Sequence, residues 1–452
     1  MKTHREIVDS LSARWPEHQV AKGLERISAL TELLGSPQQG YPVIQIAGTN
    51  GKGSTAIMID SILRACGLRV GRFTSPHLEK INERIHIDGE PITDEAFDAL
   101  VADVMPLVEM AEAKCGDGTL LTFYEVMVGL GFEAFAQAGV DVAVIEVGMG
   151  GAWDATNVAD AQVAVICPIA FDHTHLLGST LAEIAGEKAG IIKAGARAVF
   201  AQQHPEAAKV LLGRAAQCGV KAVLEGIDFK LMKRLPAAGG QLISIDSISG
   251  AMNDLFLPLF GEHMANNAAL ATAAVAEFLG GRPLADEVVA EGLLQAKIPA
   301  RLEVVRRSPT IVLDTCHNPH GALATMGGMA EAFAFTQLIG IVAMMRDKDV
   351  DAVLEIFSDQ MAEVVVTGMK STNRALTPEE LSEKAQAYFD SDRIHATADM
   401  EAAIDEAVRL ADAAGVGAGI LIAGSVYAAG EARTLLGARE DDDQARIPEQ
   451  PW

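Results

Sequence analysis

The sequence predicts an α/β protein with two domains, each built on a mostly parallel sheet that helices cover on both faces. Short runs of β-branched and other apolar residues alternate with longer stretches of helical periodicity. Strands that read as continuous apolar runs, with helices between them, are typical of a parallel sheet buried on both faces. The chain has 452 residues, which is enough for two domains with separate cores.

The first domain is expected to span residues 1–297. Its clearest strands are Val43–Ala47, Asp141–Val147, Gln162–Cys167, Ala198–Ala201 and Lys221–Leu224. Its clearest helices are Ser54–Cys66, Thr122–Ala138, Leu181–Ile192, Pro205–Gln217 and Met264–Leu279. Turn residues at 280–283 and a predicted linker at 298–301 mark the end of this domain.

A second alternation of strands and helices follows the predicted linker. Its strands are Thr310–Leu313, Leu338–Ala343, Glu363–Thr367 and Gly419–Ala423. Residues 298–438 are therefore expected to form a smaller, Rossmann-like α/β domain of common size. Residues 439–452 form an acidic tail that we expect to be frayed.

Composition excludes several classes of protein. The hydrophobic content of 49% excludes a disordered chain, and the formal net charge of −25 argues against a nucleic-acid partner. The five cysteines are widely spaced and contain no C-x-x-C pair, which argues against a disulfide framework or zinc cluster. The N-terminus lacks the apolar core of a signal peptide, and no apolar run approaches the ~20 residues of a membrane span. We expect a soluble, cytoplasmic protein with no membrane partner.

A glycine-rich turn follows the first strand and leads into a helix. It reads Gly48–Thr49–Asn50–Gly51–Lys52–Gly53–Ser54. Backbone N–H groups of such a turn, the helix dipole and a lysine together favour phosphate, which predicts a P-loop-type first domain. The Ser54 hydroxyl is placed to reach a phosphate-bound Mg²⁺. The spacing is not standard, because Ile46 occupies the first glycine position and an extra glycine separates Lys52 from Ser54. The alternative interpretation is an ordinary glycine turn before a helix.

Three further side chains could carry chemistry. Glu146 ends an apolar strand, where ligands of parallel sheets gather, so it suits either a magnesium ligand or a solvated strand-end acid. His173 follows the next strand and could be a ligand, a base or a structural histidine. Lys188 lies among apolar residues of a helical stretch. Periodicity alone favours a lysine stem packed over apolar surface, although desolvation would lower the pKa of the amine and make it reactive.

A series of short segments carries more information together than singly. They are GTNGKGS (48–54), TSPHL (74–78), NERI (82–85), TFYE (122–125), EVGMGG (146–151), DATN (154–157), DHTHLLGSTLAEIAGEKAGIIK (172–193), NNAALA (266–271), PARLE (299–303), LDTCHNPH (313–320), RDKD (346–349) and GSVYAAGEAR (424–433). In this order, over nearly the whole chain, they resemble the folylpolyglutamate synthase/dihydrofolate synthase family of ATP-dependent amide ligases, which are relatives of the Mur ligases.

The resemblance implies ATP and two Mg²⁺ ions as cofactors, and it assigns roles to residues. The implied ATP contacts are Asn50, Gly51, Lys52, Gly53, Ser54, Asn267, Arg301 and Asp314. The implied magnesium ligands are Ser54, Ser75, Glu146, His173 and Lys188. The implied substrate contacts are His77, Thr122, Phe123, Tyr124, Glu125, Trp153, Asp154 and Ala155. The implied catalytic residues are Lys52, Lys188 and His317. Lys188 matches a family lysine that carries a carbamate, which reverses the interpretation from periodicity alone.

The implied reaction joins L-glutamate to dihydropteroate and to folates through an acyl phosphate. The second domain is expected to close over the nucleotide with Arg301, Asp314 and His317. We expect a monomer. One departure is Ala152, which stands where relatives usually carry an arginine before the DATN segment. The missing guanidinium removes a possible fork to a carboxylate or loop, so the detailed substrate or loop contacts are expected to differ.

Four alternatives remain open from the sequence. The chain could carry only one of the two synthase activities. It could be a Mur-type ligase acting on a peptidoglycan precursor, although TSPHL and TFYE argue against this. It could be a P-loop kinase, which would release ADP without glutamate, or a nucleotide-binding module without turnover.

Overall fold

Two separate sheets organise the two units of the chain, Met1–Lys297 and Ile298–Trp452. The structure is a computed structural model that describes residues 3–15, 22–116, 120–248 and 250–437. The predicted acidic tail at 439–452 lies outside the described residues.

The first unit is built on an eight-stranded sheet. The strands of this unit are β1 Val43–Ala47, β2 Val70–Phe73, β3 Ile85–Ile87, β4 Glu90–Pro91, β5 Val142–Glu146, β6 Val163–Ile166, β7 Arg197–Phe200, β8 Ala222–Leu224, β9 Lys230–Ala237, β10 Gly240–Ser247 and β11 Gly250–Leu257. The sheet order is β4-β3-β2-β5-β1-β6-β7-β8. The six strands from β2 to β8 in this order run parallel, and β3 and β4 form an antiparallel edge. Every residue of β1, β5 and β6 is buried, as their apolar runs predict. Strand β2, which was not predicted, is also buried throughout.

Helices cover both faces of this sheet. They are α1 His4–Ser12, α2 Glu25–Leu33, α3 Lys52–Ala65, α4 Asp94–Cys115, α5 Phe123–Ala138, α6 Thr174–Leu177, α7 Leu181–Lys188, α8 Pro205–Gln217, α9 Glu262–Phe278 and α10 Asp286–Gln295. On one face α3 packs against α9 and α10. On the other face, α4 and α5 contribute to one apolar core, and α7 and α8 contribute to a second core.

The helix that carries Lys188 is shorter than the periodicity predicts. It begins at Leu181 behind a capping box, in which the Thr180 hydroxyl accepts from Glu183 N and the Glu183 side chain accepts from Thr180 N. It ends at Lys188 rather than at Ile192, because the chain tightens into a 3-10 turn over Ala189–Ile191. Lys188 therefore occupies the last turn of α7.

A three-stranded antiparallel sheet, in the order β11-β10-β9, was not predicted. Strand β9 is an edge strand with mostly exposed side chains, and it includes Pro236. Its polar composition hides the alternation that identifies a half-buried strand. The long helix α4, which contains Pro106, was also missed.

The second unit repeats the α/β alternation. Its strands are β12 Arg301–Arg307, β13 Thr310–Asp314, β14 Gln337–Val342, β15 Glu363–Thr367, β16 Ile394–Thr397 and β17 Ala418–Ala423, and its helices are α11 Pro319–Ala332, α12 Val350–Ser358, α13 Pro378–Ala385, α14 Met400–Ala414 and α15 Val426–Leu436. The sheet order is β12-β13-β17-β14-β15-β16, parallel except for β12. The predicted α/β fold class is confirmed. The linker predicted at 298–301 extends one residue too far, since Arg301 already belongs to β12 and pairs with Asp314.

No helix of the residues that the structure describes is long and apolar enough to cross a membrane. Each of the five cysteines is a free thiol.

The contact between α3 and α10 supplies a test of the fold. A Cβ at Gly292 would lie 2.6 Å from the Ile62 Cα, and the neighbouring Ser61 hydroxyl donates to the Gly292 carbonyl at 2.7 Å. We expect Gly292→Ala to lower the free energy of unfolding by about 1–3 kcal/mol, because the backbone of α3 would have to move. Thermal unfolding measures this. The control is Gly213→Ala in α8, where the added Cβ meets open space and helix propensity rises by up to about 1 kcal/mol. Equal stability of the two variants would contradict the packing.

Candidate active site

Neighbouring parallel strands bring the predicted functional segments to one edge of the first sheet. Strand β1 lies between β5 and β6, and β2 lies on the other side of β5. The segments that follow these strands therefore share the carboxyl edge, where ligands of open α/β sheets bind. They carry the glycine-rich turn, Glu146, the predicted ligand His173 and the TSPHL segment.

The glycine-rich turn is tied to the segment that follows β6. The N–H groups of Thr49 and Asn50 donate to the Pro168 carbonyl at 2.9 and 3.4 Å. The Thr49 hydroxyl donates to the Ala170 carbonyl at 3.0 Å. Helix α3 begins at Lys52, whose Nζ donates to the Thr49 carbonyl at 3.2 Å. The turn is thus held at the amino end of α3, as a phosphate-binding loop requires.

The glycines of the turn leave room for side chains that approach it closely. Gly51 has a φ of 84°, and a Cβ there would lie 2.7 Å from Asn267 Oδ1. A Cβ at Gly53 would lie 3.4 Å from Glu146 Oε2. The non-standard glycine before Ser54 therefore sits where a buried carboxylate packs against the turn. Asn267, in the second turn of α9, and Glu146 therefore both lie against the predicted phosphate loop. Their roles as an ATP contact and a magnesium ligand stay predictions.

Glu146 places its carboxylate oxygens beside this loop, and the backbone of Ser75 contacts that carboxylate. Glu146 is only 5% exposed, and its Oε2 accepts from Ser75 N at 3.1 Å. Ser54 is buried in the first turn of α3. Oxygen ligands and a single carboxylate suit Mg²⁺, which keeps several waters and shares substrate phosphates. Within the described residues no group of three or more His, Cys, Asp or Glu side chains could hold a metal by itself.

His173 lies on the segment between β6 and α7. It adopts a left-handed conformation with a φ of 48° and immediately precedes α6. Its Nε2 lies 3.8 Å from Asp172 Oδ1, and its side chain is 27% exposed. The ring is therefore held beside a carboxylate and reaches solvent, which is compatible with the predicted ligand role and with the structural alternative.

Lys188 reaches from the end of α7 to the phosphate loop. Its Nζ donates to the Gly48 carbonyl at 2.7 Å, and the residue is 4% exposed. Burial lowers the pKa of Lys188 to about 7, and repulsion from Lys52 acts in the same direction. The interpretation of Lys188 as a stem packed over apolar surface therefore does not account for its amine, which is buried within the site.

Two of the predicted substrate residues cap helix α5. The Thr122 hydroxyl accepts from Glu125 N at 3.1 Å, and Glu125 Oε2 accepts from Thr122 N at 2.8 Å. Glu125 also pairs with Arg26, whose Nε donates to both carboxylate oxygens at 3.0 and 3.1 Å. These bonds fix the amino end of α5, where Phe123 and Tyr124 follow Thr122.

A second group of predicted substrate residues forms a hydrogen-bonded loop after β5. The Tyr124 hydroxyl accepts from Gly148 N at 2.7 Å and donates to Asp154 Oδ1 at 3.3 Å. Asp154 also accepts from Met149 N and from the Thr156 hydroxyl. Burial raises the pKa of Asp154, and the hydrogen bonds oppose that effect. The segment that precedes Ala155 is therefore rigid and tied to α5.

Trp153 and Ala152 border this loop. Lys22 Nζ lies 5.4 Å from the centroid of the Trp153 ring. Ala152 N donates to the Glu187 carbonyl at 2.9 Å, and the Ala152 side chain is exposed. A Cβ at Gly190 would lie 2.4 Å from Ala152 atoms, so the loop packs closely against the segment after α7. The hydrogen bond between these segments is made by the Ala152 backbone, so it does not depend on the side chain at this position.

Sequence reasoning missed Arg84, which lies within the NERI segment. The residue is 1% exposed, its Nε donates to His77 Nδ1 at 2.9 Å, and its Cζ lies 5.0 Å from the Phe123 ring centroid. Arginine can only donate, so neutral His77 carries its proton on Nε2. Arg84 thus joins two predicted substrate residues. The NERI motif was the available signal, but spacing alone does not reveal a buried arginine.

The remaining predicted residues belong to the second unit. Asp314 ends β13, and its carboxylate accepts from Leu302 N, from Cys316 N and from the Thr325 hydroxyl at 3.1, 2.8 and 2.8 Å. His317 Nδ1 lies 3.0 Å from the Thr315 carbonyl and therefore donates to it. Arg301 pairs with Asp314 across β12 and β13. The three residues are neighbours at one end of these two strands.

Comparisons with known proteins agree with this arrangement. The Mur ligase middle domain family matches residues 46–275, and the Mur ligase, glutamate ligase domain family matches residues 300–426. The chain is 43% identical to a dihydrofolate synthase/folylpolyglutamate synthase of Mycobacterium tuberculosis, over 94% of this chain and 92% of that protein. It is 39% identical to a folylpolyglutamate synthase of Lacticaseibacillus casei, over 78% of this chain and 82% of that protein.

Solved structures are similar over nearly the whole chain. The Mycobacterium tuberculosis folylpolyglutamate synthase complexed with ADP has a TM-score of 0.93 and 42% identity, covering 96% of this chain and 98% of that one. A folylpolyglutamate synthase complex with AMPPCP and folate has a TM-score of 0.83 and 32% identity, covering 96% of this chain and all of that one.

The buried amine of Lys188 has a consequence for stability. Between pH 7 and pH 10 the unfolded chain binds a proton at Lys188 that the folded chain does not, so the free energy of unfolding should rise with pH in that window. Lys188→Met removes this contribution. The measured quantity is the free energy of unfolding of the parent protein minus that of Lys188→Met, in buffer free of bicarbonate. We expect this difference to be lowest at or below pH 7 and to increase up to about pH 10. Denaturant unfolding of both proteins across this range measures it, and a constant difference would show that the amine is not desolvated.

Proposed function

Because this chain belongs to the folylpolyglutamate synthase/dihydrofolate synthase family of the Mur ligases, and is therefore an ATP-dependent ligase, we propose that it joins L-glutamate to dihydropteroate and to folates. The names of the relatives support both acceptors, since several carry both activities in one protein. The bound ADP, AMPPCP and folate of the related structures support ATP and a folate as the ligands.

One observation carries the proposal. Lys188, Glu146 and Asn267 converge on a single glycine-rich turn at the amino end of α3. A turn that only joined a strand to a helix would not require a buried amine and a buried carboxylate against its backbone. The convergence supports phosphate chemistry at this edge of the sheet rather than a plain glycine turn.

The proposed reaction activates a carboxylate that would otherwise not form an amide in water. The pteroate or folate carboxylate oxygen attacks the γ-phosphorus of ATP, the bond to the β,γ-bridging oxygen breaks, and ADP leaves. The glutamate amine then attacks the acyl phosphate carbon and loses a proton. The tetrahedral intermediate collapses to the amide and inorganic phosphate. Such chemistry depends on positioning and charge neutralisation, which Lys52 and the N–H groups of the turn can provide.

We further propose that Mg²⁺ binds beside this turn through Glu146, Ser54, Ser75 and His173. The buried oxygens of Glu146 and Ser54 support this, because they are the ligand type that Mg²⁺ prefers. When bound, the ion would neutralise phosphate charge. The hydrogen bond from Ser75 N fixes the Glu146 carboxylate, which supports this proposal.

The lowered pKa of Lys188 supports the proposed carbamate. A neutral amine is the form that reacts with CO₂: the nitrogen lone pair forms a bond to carbon, and one proton leaves the nitrogen. At a pKa of about 7, a large fraction of Lys188 is neutral at physiological pH. The product would be an anion where the sequence encodes a cation, and it would serve as a further oxygen ligand for magnesium.

Several assignments stay predictions. Asn267 contacts the turn through Gly51, which supports a place at the nucleotide. Arg301, Asp314 and His317 stay predicted ATP contacts and, for His317, a predicted catalytic residue. His77, Phe123, Tyr124, Trp153 and Ala155 stay predicted substrate contacts. The monomeric state and the closure of the second domain also stay predictions.

Lys52→Ala tests the proposed function directly. We expect this variant to lose about 100-fold or more of kcat/KM for ATP, because one preorganised charge next to the phosphates is removed. The measurement is ADP release with dihydropteroate or a reduced folate, in the presence and absence of L-glutamate. The matched control is Lys209→Ala on the exposed side of α8, which should retain full activity.

The same assay separates the alternatives. Sustained ADP release without glutamate would indicate a kinase, and ATP binding without any release would indicate a non-catalytic module. Turnover with only one of the two acceptors would indicate a monofunctional synthase. Normal turnover by Lys52→Ala would contradict the proposed site.

A further inference from the structure

The backbone on both sides of Arg301 adopts an unusual conformation. Ala300 has a φ of 51° and Leu302 a φ of 48°, both in the left-handed region that L-residues other than glycine, asparagine and aspartate rarely occupy. Both side chains are buried, at 0% and 2% exposure. The strand pairing breaks at the same place, since the register of β12 against β13 shifts between Arg301 and Glu303. Arg301 is therefore presented on a bend rather than on a regular strand.

Two carboxylates hold the N–H groups of the two strained residues. Ala300 N donates to Glu303 Oε2 at 2.7 Å, and Leu302 N donates to Asp314 Oδ2 at 3.1 Å. Strained backbone persists only where its surroundings over-determine it, and it clusters at functional sites. The bend thus has two anchors, one on either side of Arg301.

The first anchor is itself held from a different element. Arg433 of α15 is 7% exposed, and its Nε lies 3.3 and 3.2 Å from Glu303 Oε1 and Oε2. A charge-assisted contact in a buried place holds geometry far better than an exposed pair. The chain of contacts therefore runs from Arg433 through Glu303 to the backbone of Ala300, next to Arg301.

We propose that Glu303 and Arg433 are positioning residues for Arg301. They hold the bend that sets the direction of the Arg301 guanidinium, and they act on the nucleotide only through it. This inference rests on the proposed function, in which Arg301 contacts ATP. The alternative is a purely structural role, in which the Glu303–Arg433 pair only stabilises the second unit. The two differ in whether the pair still matters once the guanidinium of Arg301 is gone.

The test is a double-mutant cycle in the full-length protein. Arg301→Ala should raise KM for ATP about tenfold, as expected for the loss of one charge-assisted contact. Arg433→Met and Glu303→Gln should each raise KM for ATP severalfold, with a smaller effect on KM for glutamate. Arg433→Lys should recover part of the loss. In the Arg301→Ala background, adding Arg433→Met or Glu303→Gln should cause no further rise.

The control is Arg409→Met in α14 of the same unit. Arg409 also pairs with a glutamate, Glu406, but its side chain is 61% exposed, so KM for ATP should not change.

Glu303→Gln keeps an oxygen that can accept from Ala300 N, so it tests the positioning role if Arg433→Met folds poorly. If Arg433→Met or Glu303→Gln raised KM for ATP by the same factor in the Arg301→Ala background as in the parent protein, the positioning role would be overturned. The proposed function would remain intact. An unchanged KM and kcat in Arg301→Ala would overturn the ATP contact itself, and the positioning role with it.

Discussion

The hydrogen bond from Lys188 Nζ to the Gly48 carbonyl is the contact on which the first unit's site depends. It brings a buried amine from the end of α7 against the loop between β1 and α3. This is possible because β6 lies next to β1 in the sheet, so the segment between β6 and α7 starts beside the loop. Burial lowers the pKa of Lys188 to about 7, and the cost of burying this amine is easier to explain by chemistry at the site than by packing.

Local arrangement, not net charge, decides which ligands such a site accepts. A formal charge of −25 looks unfavourable for anions, yet it acts mainly on solubility and long-range encounter. Around the turn, the field is set by backbone N–H groups, by Lys52 and by the buried carboxylate of Glu146, which packs against Gly53. If Lys188 carries a carbamate, the site gains a further anion and depends more strongly on magnesium.

Sequence reasoning succeeded where the signal is local. The strand Val43–Ala47 follows from a short apolar run, and the structure has it with the predicted bounds. The helix after the glycine-rich turn was also predicted, although it begins at Lys52 rather than at Ser54. Sequence reasoning failed where contacts between residues distant in the sequence decide the local structure. Strand β9 of the antiparallel sheet has mostly exposed side chains and lacks a clear alternation. At the bend beside Arg301, Ala300 N donates to Glu303, which Arg433 contacts from α15. Arg84 is recognisable only once it is seen between His77 and Phe123. No spacing rule reports such contacts.

The proposed role of the buried amine is tested most directly by measuring whether Lys188 carries a carbamate in the folded protein. The protein is equilibrated with ¹³C-bicarbonate near neutral pH, and ¹³C NMR is recorded for the parent chain and for Lys188→Arg, which keeps a cation but cannot bind CO₂. We expect a carbamate carbonyl resonance that is present in the parent protein, strengthens with magnesium, and is absent in Lys188→Arg. A parent protein without this resonance, or an equal resonance in Lys188→Arg, would contradict the proposed role of the buried amine.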